Sequence, residues 1–401
     1  MGTLIFRWFL SRKVRQAVDM CRQARKLIKA QRDVLSASAI DTVMAAIAEL
    51  KQTIMDGQEK AALEAPMAKL EKSANENLKS YPSAVWRENV EVLLVTGAVV
   101  LALRTFFFQP MAIPSGSAQP TLWGITSENL KERPGREIPR GLKRIIESCW
   151  LGIHYYHIVA RADGELTRIE PPKLVFPFVK KQTIWVGNEP YSIWFPPENL
   201  DDDRHASLHT GQFFRQGEDI IRLKVTSGDH LFVDRLTYNF RHPRRGEIIV
   251  FESTGIPGII QNTHYIKRLI ALSGEKVRIS NDRHVYINGQ RLDASTPGFE
   301  NVYGFNPKEP ARADHYSGHV NNETGRKAFQ ANHLYPSDLA GLFLDGDAEF
   351  TVRPDHYLAF GDNTMNSNDG RNWGDFPREK VIGKAWFVFW PITERFGWGF
   401  R

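Results

Sequence analysis

Three short stretches of this chain hold side chains that could do covalent chemistry together. Residues 109–122 read QPMAIPSGSAQPTL and offer two hydroxyls, Ser115 and Ser117, on either side of Gly116. Residues 265–277 read YIKRLIALSGEKV and set the Lys267 amine in an apolar run. Residues 361–377 read GDNTMNSNDGRNWGDFP and supply Ser367, Asp369 and Arg371. A serine hydroxyl is a weak nucleophile until a base takes its proton. Most serine hydrolases use histidine for that step, but none stands in these three stretches. Lysine can replace it only when neutral, so an amine pKa of about 10.4 must fall by roughly 2 or more. Burial does this, because a lone ammonium is costly in a low dielectric. Strand alternation places Lys267 on one face with Tyr265 and Leu269. With Ile266, Ile270, Ala271 and Leu272 nearby, the surroundings are compatible with a buried amine. Taken singly, a Ser-Gly-Ser turn and a lysine on a strand are both ordinary.

A fourth stretch, residues 228–251, contains GDHLFVDRLTY and then HPRRGEIIVF. In this order, and behind an apolar segment, the four resemble the bacterial type I signal peptidases (leader peptidases), serine proteases that use a Ser-Lys dyad. The likeness rests on Pro114-Ser115-Gly116-Ser117, Pro120-Thr121-Leu122, the Tyr-Ile-Lys-Arg run ending at Arg268, and the Gly-Asp-Asn run that leads to Ser367, Asp369 and Arg371. It covers roughly residues 85–122 and 225–400. The resemblance implies Ser117 as nucleophile and Lys267 as general base. It implies an oxyanion held by the Ser117 N–H and the Ser115 hydroxyl, where one donor is worth on the order of 3 kcal/mol. Ser367 would orient the lysine nitrogen, and Asp369 with Arg371 would form a supporting ion pair. Ile113, Pro114, Leu122, Tyr265 and Ile266 match substrate-binding positions, which in the family accept small residues and give Ala-x-Ala specificity. The implied reaction removes N-terminal signal peptides from exported preproteins, close to the export machinery and the membrane lipids, with no cofactor and no metal.

Departures from the family pattern cluster at the same places. Ala118 and Gln119 stand where a Met and a variable residue are usual, Met111 where an aromatic is frequent, and His264 where an acid is frequent. Thr364-Met365 replaces Arg-Asp, Gly370 replaces Ser, and Glu247 replaces Asp in a turn that looks like scaffold. Two other readings therefore stay open. One is an inactive or weakly active membrane-anchored scaffold or binding relative. The other is a Ser-Lys protease with one dedicated exported substrate.

The elements that must position these residues are legible from pattern. Residues 11–80 are rich in helix formers. Val14, Val18, Cys21, Ala24 and Ile28 recur at helical spacing, with breaks expected near 36–38 and Gly57. This predicts a solvated helical hairpin or coiled-coil arm over residues 1–89, whose basic run Arg12, Lys13, Arg15, Arg22, Arg25 and Lys26 could meet anionic lipid heads. The stretch 4–10 is apolar but interrupted by Arg7, with no small-residue cleavage site after it. Residues 90–108, VEVLLVTGAVVLALRTFFF, are just long enough to cross a bilayer. Arg104 could snorkel from the span, and Phe106, Phe107 and Phe108 suit an aromatic belt. The positive-inside tendency then puts residues 1–89 in the cytoplasm and the remainder outside a cytoplasmic membrane crossed once. Cys21 and Cys149 would lie on opposite sides and could not pair. From Phe108 to Ser117 the chain reaches only about 30 Å, which keeps the nucleophile near the outer membrane face.

From about residue 165 short apolar runs alternate with Gly, Pro, Asn and Asp, predicting a mainly β catalytic body over residues 109–122 and 225–401. Strands are expected at 173–179, 183–186, 230–233, 247–251, 265–270, 276–279, 284–287, 350–352 and 384–390. Asn288-Gly289 marks a hairpin. Residues 123–224 form an insertion, helix-like and basic over 133–147 and strand-like over 166–223. Asp201–Asp203 with His205 and His209 read as a solvated loop, and His154 and His157 lack partners at zinc spacing. The net charge of +6 decides nothing alone, and no nucleic-acid recognition motif appears.

Overall fold

Apolar residues at every third or fourth position fold the N-terminal arm. In the computed structural model, helix α1 (Arg12–Ala30) is capped by Ser11 and buries Val14, Ala17, Cys21, Ala24 and Ile28. Ser36 caps helix α2 (Ala37–Met55), and helix α3 (Glu64–Asn77) adds Leu70 to a shared core with Ile47, Leu50 and Leu63. The arm is thus three helices around one core rather than a hairpin: a two-helix pair would leave Leu63 and Leu70 in water. The description covers residues 11–56, 60–79, 84–133, 135–197, 200–201, 206–334 and 337–398. The stretch 4–10, the break at Gly57, and Asp202, Asp203 and His205 lie outside the described residues.

The chain divides into two compact units, Met1–Val99 and Val100–Arg401. Helix α4 (Ala84–Phe106) runs across that division. Its segment Trp86–Phe106 is long and apolar enough to cross a membrane, and none of its most apolar window is buried by protein. The helix begins at Ala84, where residue 90 was expected, and stops at Phe106. Phe108 belongs to the next element instead: its ring stacks on Trp386 at 4.7 Å, so it packs on the sheet and not in a belt at the end of the span.

Strand β1 (Phe108–Ala112) follows directly. The insertion then contributes β2 (Thr126–Asn129), helix α5 (Gly141–Leu151), β3 (Ile153–Val159), β4 (Gly164–Ile169), β5 (Lys173–Phe176), β6 (Val179–Val186), β7 (Glu189–Trp194), β8 (Phe213–Phe214) and β9 (Asp219–Thr226). These form a β2-β9-β3 sheet and a second sheet ordered β5-β6-β4-β8, with β7 on β6. They enclose a core of their own around Leu166, Ile184, Ile221 and Leu223. Two expectations shift here. The helix predicted from residue 133 starts at Gly141, just after Pro139, since the residue before a proline is biased away from helix. The strand predicted over 173–179 turns back at Pro177-Phe178, where Phe178 takes a φ of 70°.

The remaining β-rich body comprises β10 (His230–Asp234), β11 (Ile248–Glu252), β12 (His264–Ala271), β13 (Lys276–Ile279), β14 (Val285–Ile287), β15 (Gln290–Arg291), β16 (Glu349–Thr351), β17 (His356–Phe360), β18 (Phe376–Pro377) and β19 (Val381–Trp390). Helix α6 (Asn322–Ala331) and the single turn α7 (Gly370–Trp373) interrupt it. A seven-stranded sheet runs β1-β10-β19-β11-β12-β17-β18. One of its faces packs around Leu122, Leu231, Val233 and Val250, and the other around Ile249, Phe251, Leu269 and Phe376. A β15-β14-β13-β16 sheet shares a core with Ile270 and Phe360. Asn288 and Gly289 join β14 to β15 with φ of 48° and 80°, as a tight two-residue hairpin requires. Glu247 pairs with Arg241 and takes the Arg244 N–H, closing the turn before β11.

Candidate active site

Two long-range pairings bring the chemistry together. β1 hydrogen-bonds to β10, and Ile113 continues that edge by donating its N–H to the Asp229 carbonyl at 2.9 Å. The chain then turns through residues 116–118 as one 3-10 turn. Close backbone packing fixes the approach: a Cβ on Gly124 would lie 2.2 Å from the Ser115 carbonyl carbon. Lys267 comes from the middle of β12, opposite Ile249 of β11. Its Nζ lies 2.6 Å from Ser117 Oγ, and the two residues are 3% and 7% exposed. Among the described residues this amine has no carboxylate within ion-pair distance. Burial therefore governs it and lowers its pKa from 10.5 to about 8, Asp369 and Asp362 opposing the shift from further away and Arg371 reinforcing it. A serine hydroxyl held against an amine that is partly neutral near physiological pH is the arrangement that nucleophilic catalysis by serine requires.

Buried ion pairs hold the loop that faces Ser117 and Lys267. Asp369 and Arg371 are fully buried and joined at 2.9 Å. Asp369 also accepts the Gly361 N–H, and Arg371 donates to the carbonyl and hydroxyl of Thr364. Thr364, where the family usually has Arg, is thus an interior acceptor that also receives the Val320 N–H. Arg268, next to the lysine but on the opposite face of β12, grips Asp362 through two bonds of 2.7 and 2.6 Å. Thr121 donates its hydroxyl to the same carboxylate, tying the Pro-Thr-Leu turn to this pair. Burial works against the charge on Asp362 and Asp369, yet their arginines hold both carboxylates below the usual range.

The expected site residues divide by position. Ser115 is exposed, and its Oγ donates to Ser117 Oγ across 3.4 Å. Ser367 is buried near Ser117, but among the described residues its Oγ has no hydrogen-bond partner, so the expected bond to the lysine is not made. Pro114 is exposed, Tyr265 and Ile266 are half-buried, and the Lys267 ammonium position lies 5.8 Å from the Tyr265 ring centre. Ile113 is nearly covered and Leu122 fully so. Leu122 therefore packs beneath the site and offers no surface to a substrate. Ala118, where the family usually has Met, is also buried in that packing. Among the described residues no three His, Cys, Asp or Glu side chains gather as metal ligands. The cysteines are both free, Cys21 within the arm core and Cys149 exposed.

Comparison with known proteins identifies the family. The family described as signal peptidase, peptidase S26 matches residues 221–390, which include Lys267, Ser367, Asp369 and Arg371. The "Probable signal peptidase I-2" of Synechocystis sp. is 31% identical over 168 residues, 41% of this chain and 57% of that protein. Signal peptidase I of Pseudomonas aeruginosa is 28% identical over 188 residues, 41% of this chain and 60% of that one. "Signal peptidase I P" of Bacillus subtilis subsp. natto is 30% identical over 172 residues, 42% of this chain and 72% of that one. The chain belongs to the signal peptidase I family. It spans about three-fifths of the length of the first of these relatives. A crystal structure of a signal peptidase I from Enterococcus faecalis is 26% identical, covering 36% of this chain and 97% of its own, with a TM-score of 0.23 that lends no weight to the fold.

Ser117 lies outside the range matched by the family, and folding alone joins it to Lys267. Sequence reasoning also missed Asn363. Its side-chain amide donates to the carbonyls of Gly116 and Ala313 at 2.8 and 2.7 Å, and its backbone N–H donates to the Ser117 carbonyl at 3.1 Å. Two of these bonds clamp the turn that carries Ser117. The only signal was its place two residues after Gly361 in the family's Gly-Asp-Asn run.

Proposed function

We propose that this chain is a membrane-anchored serine endopeptidase that removes N-terminal signal peptides from exported preproteins. The 2.6 Å approach of Ser117 Oγ to a buried Lys267 amine carries the proposal. In the neutral state the hydroxyl donates to Nζ. As Oγ attacks the scissile carbonyl carbon, its proton passes to Nζ and the carbonyl π electrons move onto oxygen. The Ser117 N–H and the Ser115 hydroxyl hold that oxyanion. The C–N bond breaks as the Lys267 ammonium returns the proton to the leaving amine. Water then attacks the acyl ester, giving a proton to Lys267, and as the ester C–O bond breaks the Lys267 ammonium returns that proton to Oγ, restoring the Ser117 hydroxyl and the neutral amine. Ser367 becomes a partner of the amine once substrate excludes water. Ile113, Pro114, Tyr265 and Ile266 border the substrate, which carries small residues at the first and third positions before the cut.

Helix α4 supplies the anchor, with the N-terminal arm on the cytoplasmic side and the catalytic body outside the membrane. The arm's excess of Lys and Arg supports that orientation. A second reading, a protease for one dedicated exported substrate, draws support from the separately cored insertion on the same unit as the dyad.

The test is cleavage of a purified preprotein bearing an Ala-x-Ala site by detergent-solubilised full chain, alongside Ser117→Ala and Lys267→Met. Cleavage at that site by wild type alone is the expected result. No cleavage under lipid-supplemented conditions in which a known signal peptidase works would overturn the general reading in favour of a dedicated substrate or a scaffold. Cleavage by Ser117→Ala would overturn the dyad.

A further inference from the structure

The N-terminal arm carries an open groove of about 1010 Å³ between α1 and α2, in the size range of small-molecule sites. Val18, Ile40, Met44 and Ile54 give it an apolar floor. Arg22, Arg25, Lys26, Lys29, Arg32 and Lys51 line it, with no acidic residue among its walls. On α1 these cations recur three and four residues apart, a spacing at which like charges repel and destabilise a helix. Arg22 approaches Asp19 at 3.7 Å and Lys26 reaches Glu91 at 3.5 Å. Arg25, Lys29, Arg32 and Lys51 have no ion pair among the described residues. An amphiphilic anion satisfies both parts of such a groove, its chain on the floor and its charge on the rim.

The groove's place in the arm identifies the class of anion. Glu91, the partner of Lys26, lies on α4 in the first turns of the apolar span. A little further along, at the C-terminal cap of α1, the Gln31 amide exchanges two hydrogen bonds with the Lys79 backbone, 2.7 and 3.0 Å, shortly before α4 begins. The basic rim is therefore held at the base of the segment that would enter a bilayer. We infer that this groove binds an anionic membrane phospholipid, with the phosphate among Arg25, Lys29 and Arg32 and an acyl chain against Met44 and Ile54. The inference rests on α4 lying in the membrane.

The experiment uses the full chain in lipid nanodiscs, with an environment-sensitive fluorophore on Met44→Cys in a Cys149→Ser background. Acyl chains brominated on phosphatidylglycerol or on phosphatidylcholine, at equal mole fraction, act as contact quenchers. Each cation engaged by an anionic head favours that lipid by roughly fivefold, so brominated phosphatidylglycerol should quench several-fold more than phosphatidylcholine. Arg25→Gln with Lys29→Gln should bring the two lipids to parity. Equal quenching by both lipids in the unmodified groove would overturn the inference. So would a label shielded from water but quenched by neither, which would mean a protein occupant. A label on Leu94→Cys, quenched by either lipid whenever α4 is inserted, separates failure of the groove from failure of anchoring.

Discussion

Replacing Lys267 by methionine should abolish cleavage while making the protein more stable at neutral pH. The side chain is 3% exposed and its amine is lowered from 10.5 to about 8. That difference corresponds to about 3 kcal/mol by which folding disfavours the ammonium. The unfolded chain binds the proton more tightly, so stability rises with pH between about 8 and 10.5. Below pH 8 the native state carries the whole penalty. Methionine has similar length and no charge, and Asp362 and Asp369 keep their arginines, so no buried carboxylate is orphaned. The variant should gain about 2–3 kcal/mol at pH 7, allowing for lost contacts of the amine. The gain should vanish near pH 10.5. Urea unfolding of the detergent-solubilised protein, followed by tryptophan fluorescence across pH, measures this. In parallel, kcat/KM of wild type should climb about tenfold per pH unit below 8 and level off above it. A wild-type profile flat from about pH 6 to 9 would refute the buried-base reasoning. So would a methionine variant less stable than wild type at pH 7.

Other perturbations probe the surrounding parts. Ser115→Ala removes one oxyanion donor and should lower kcat by about 10²–10³-fold with little change in KM, read from steady-state cleavage. In Gly361→Ala, the new Cβ would lie 2.2 Å from Ser367 Oγ and 2.4 Å from the Ser117 carbonyl oxygen. Cleavage should fall sharply while circular dichroism keeps its β signature. Arg268→Met leaves Asp362 buried without its partner and should cost about 3–5 kcal/mol in urea unfolding. Arg268→Met with Asp362→Leu should recover part of that loss, since a matched apolar pair avoids the uncompensated charge.

The legible parts of this protein were those set by local pattern. Helical spacing from Val14 to Ile28 marked the face that α1 buries. The apolar run after residue 90 marked a helix long enough to cross a membrane, though it starts earlier, at Ala84, and ends at Phe106, Phe108 having joined β1 and stacked on Trp386. Asn288-Gly289 fixed a turn, because only residues tolerant of positive φ can close a two-residue hairpin. Asp369 and Arg371, two residues apart, found each other within one loop. Other features escaped. Leu122 looked like a pocket wall, but fully buried packing put it beneath the site. Ser367 matched a family position, yet among the described residues its hydroxyl makes no hydrogen bond, a matter of placement that pattern does not report.

The amino-acid sequence by itself determined which groups are available: a hydroxyl on a tight turn, an amine in an apolar strand, carboxylates with arginines nearby, and an apolar helix long enough to cross a membrane. Only the tertiary structure decided that Ser117 and Lys267 meet at 2.6 Å and that Asn363 clamps the turn of Ser117. Periodicity reports which face of a helix or strand turns inward. It does not report which distant segments meet behind that face. A lysine's basicity depends on how much water and charge those segments leave around its nitrogen, and this is settled when the sheet and the loop over residues 361–371 close upon it.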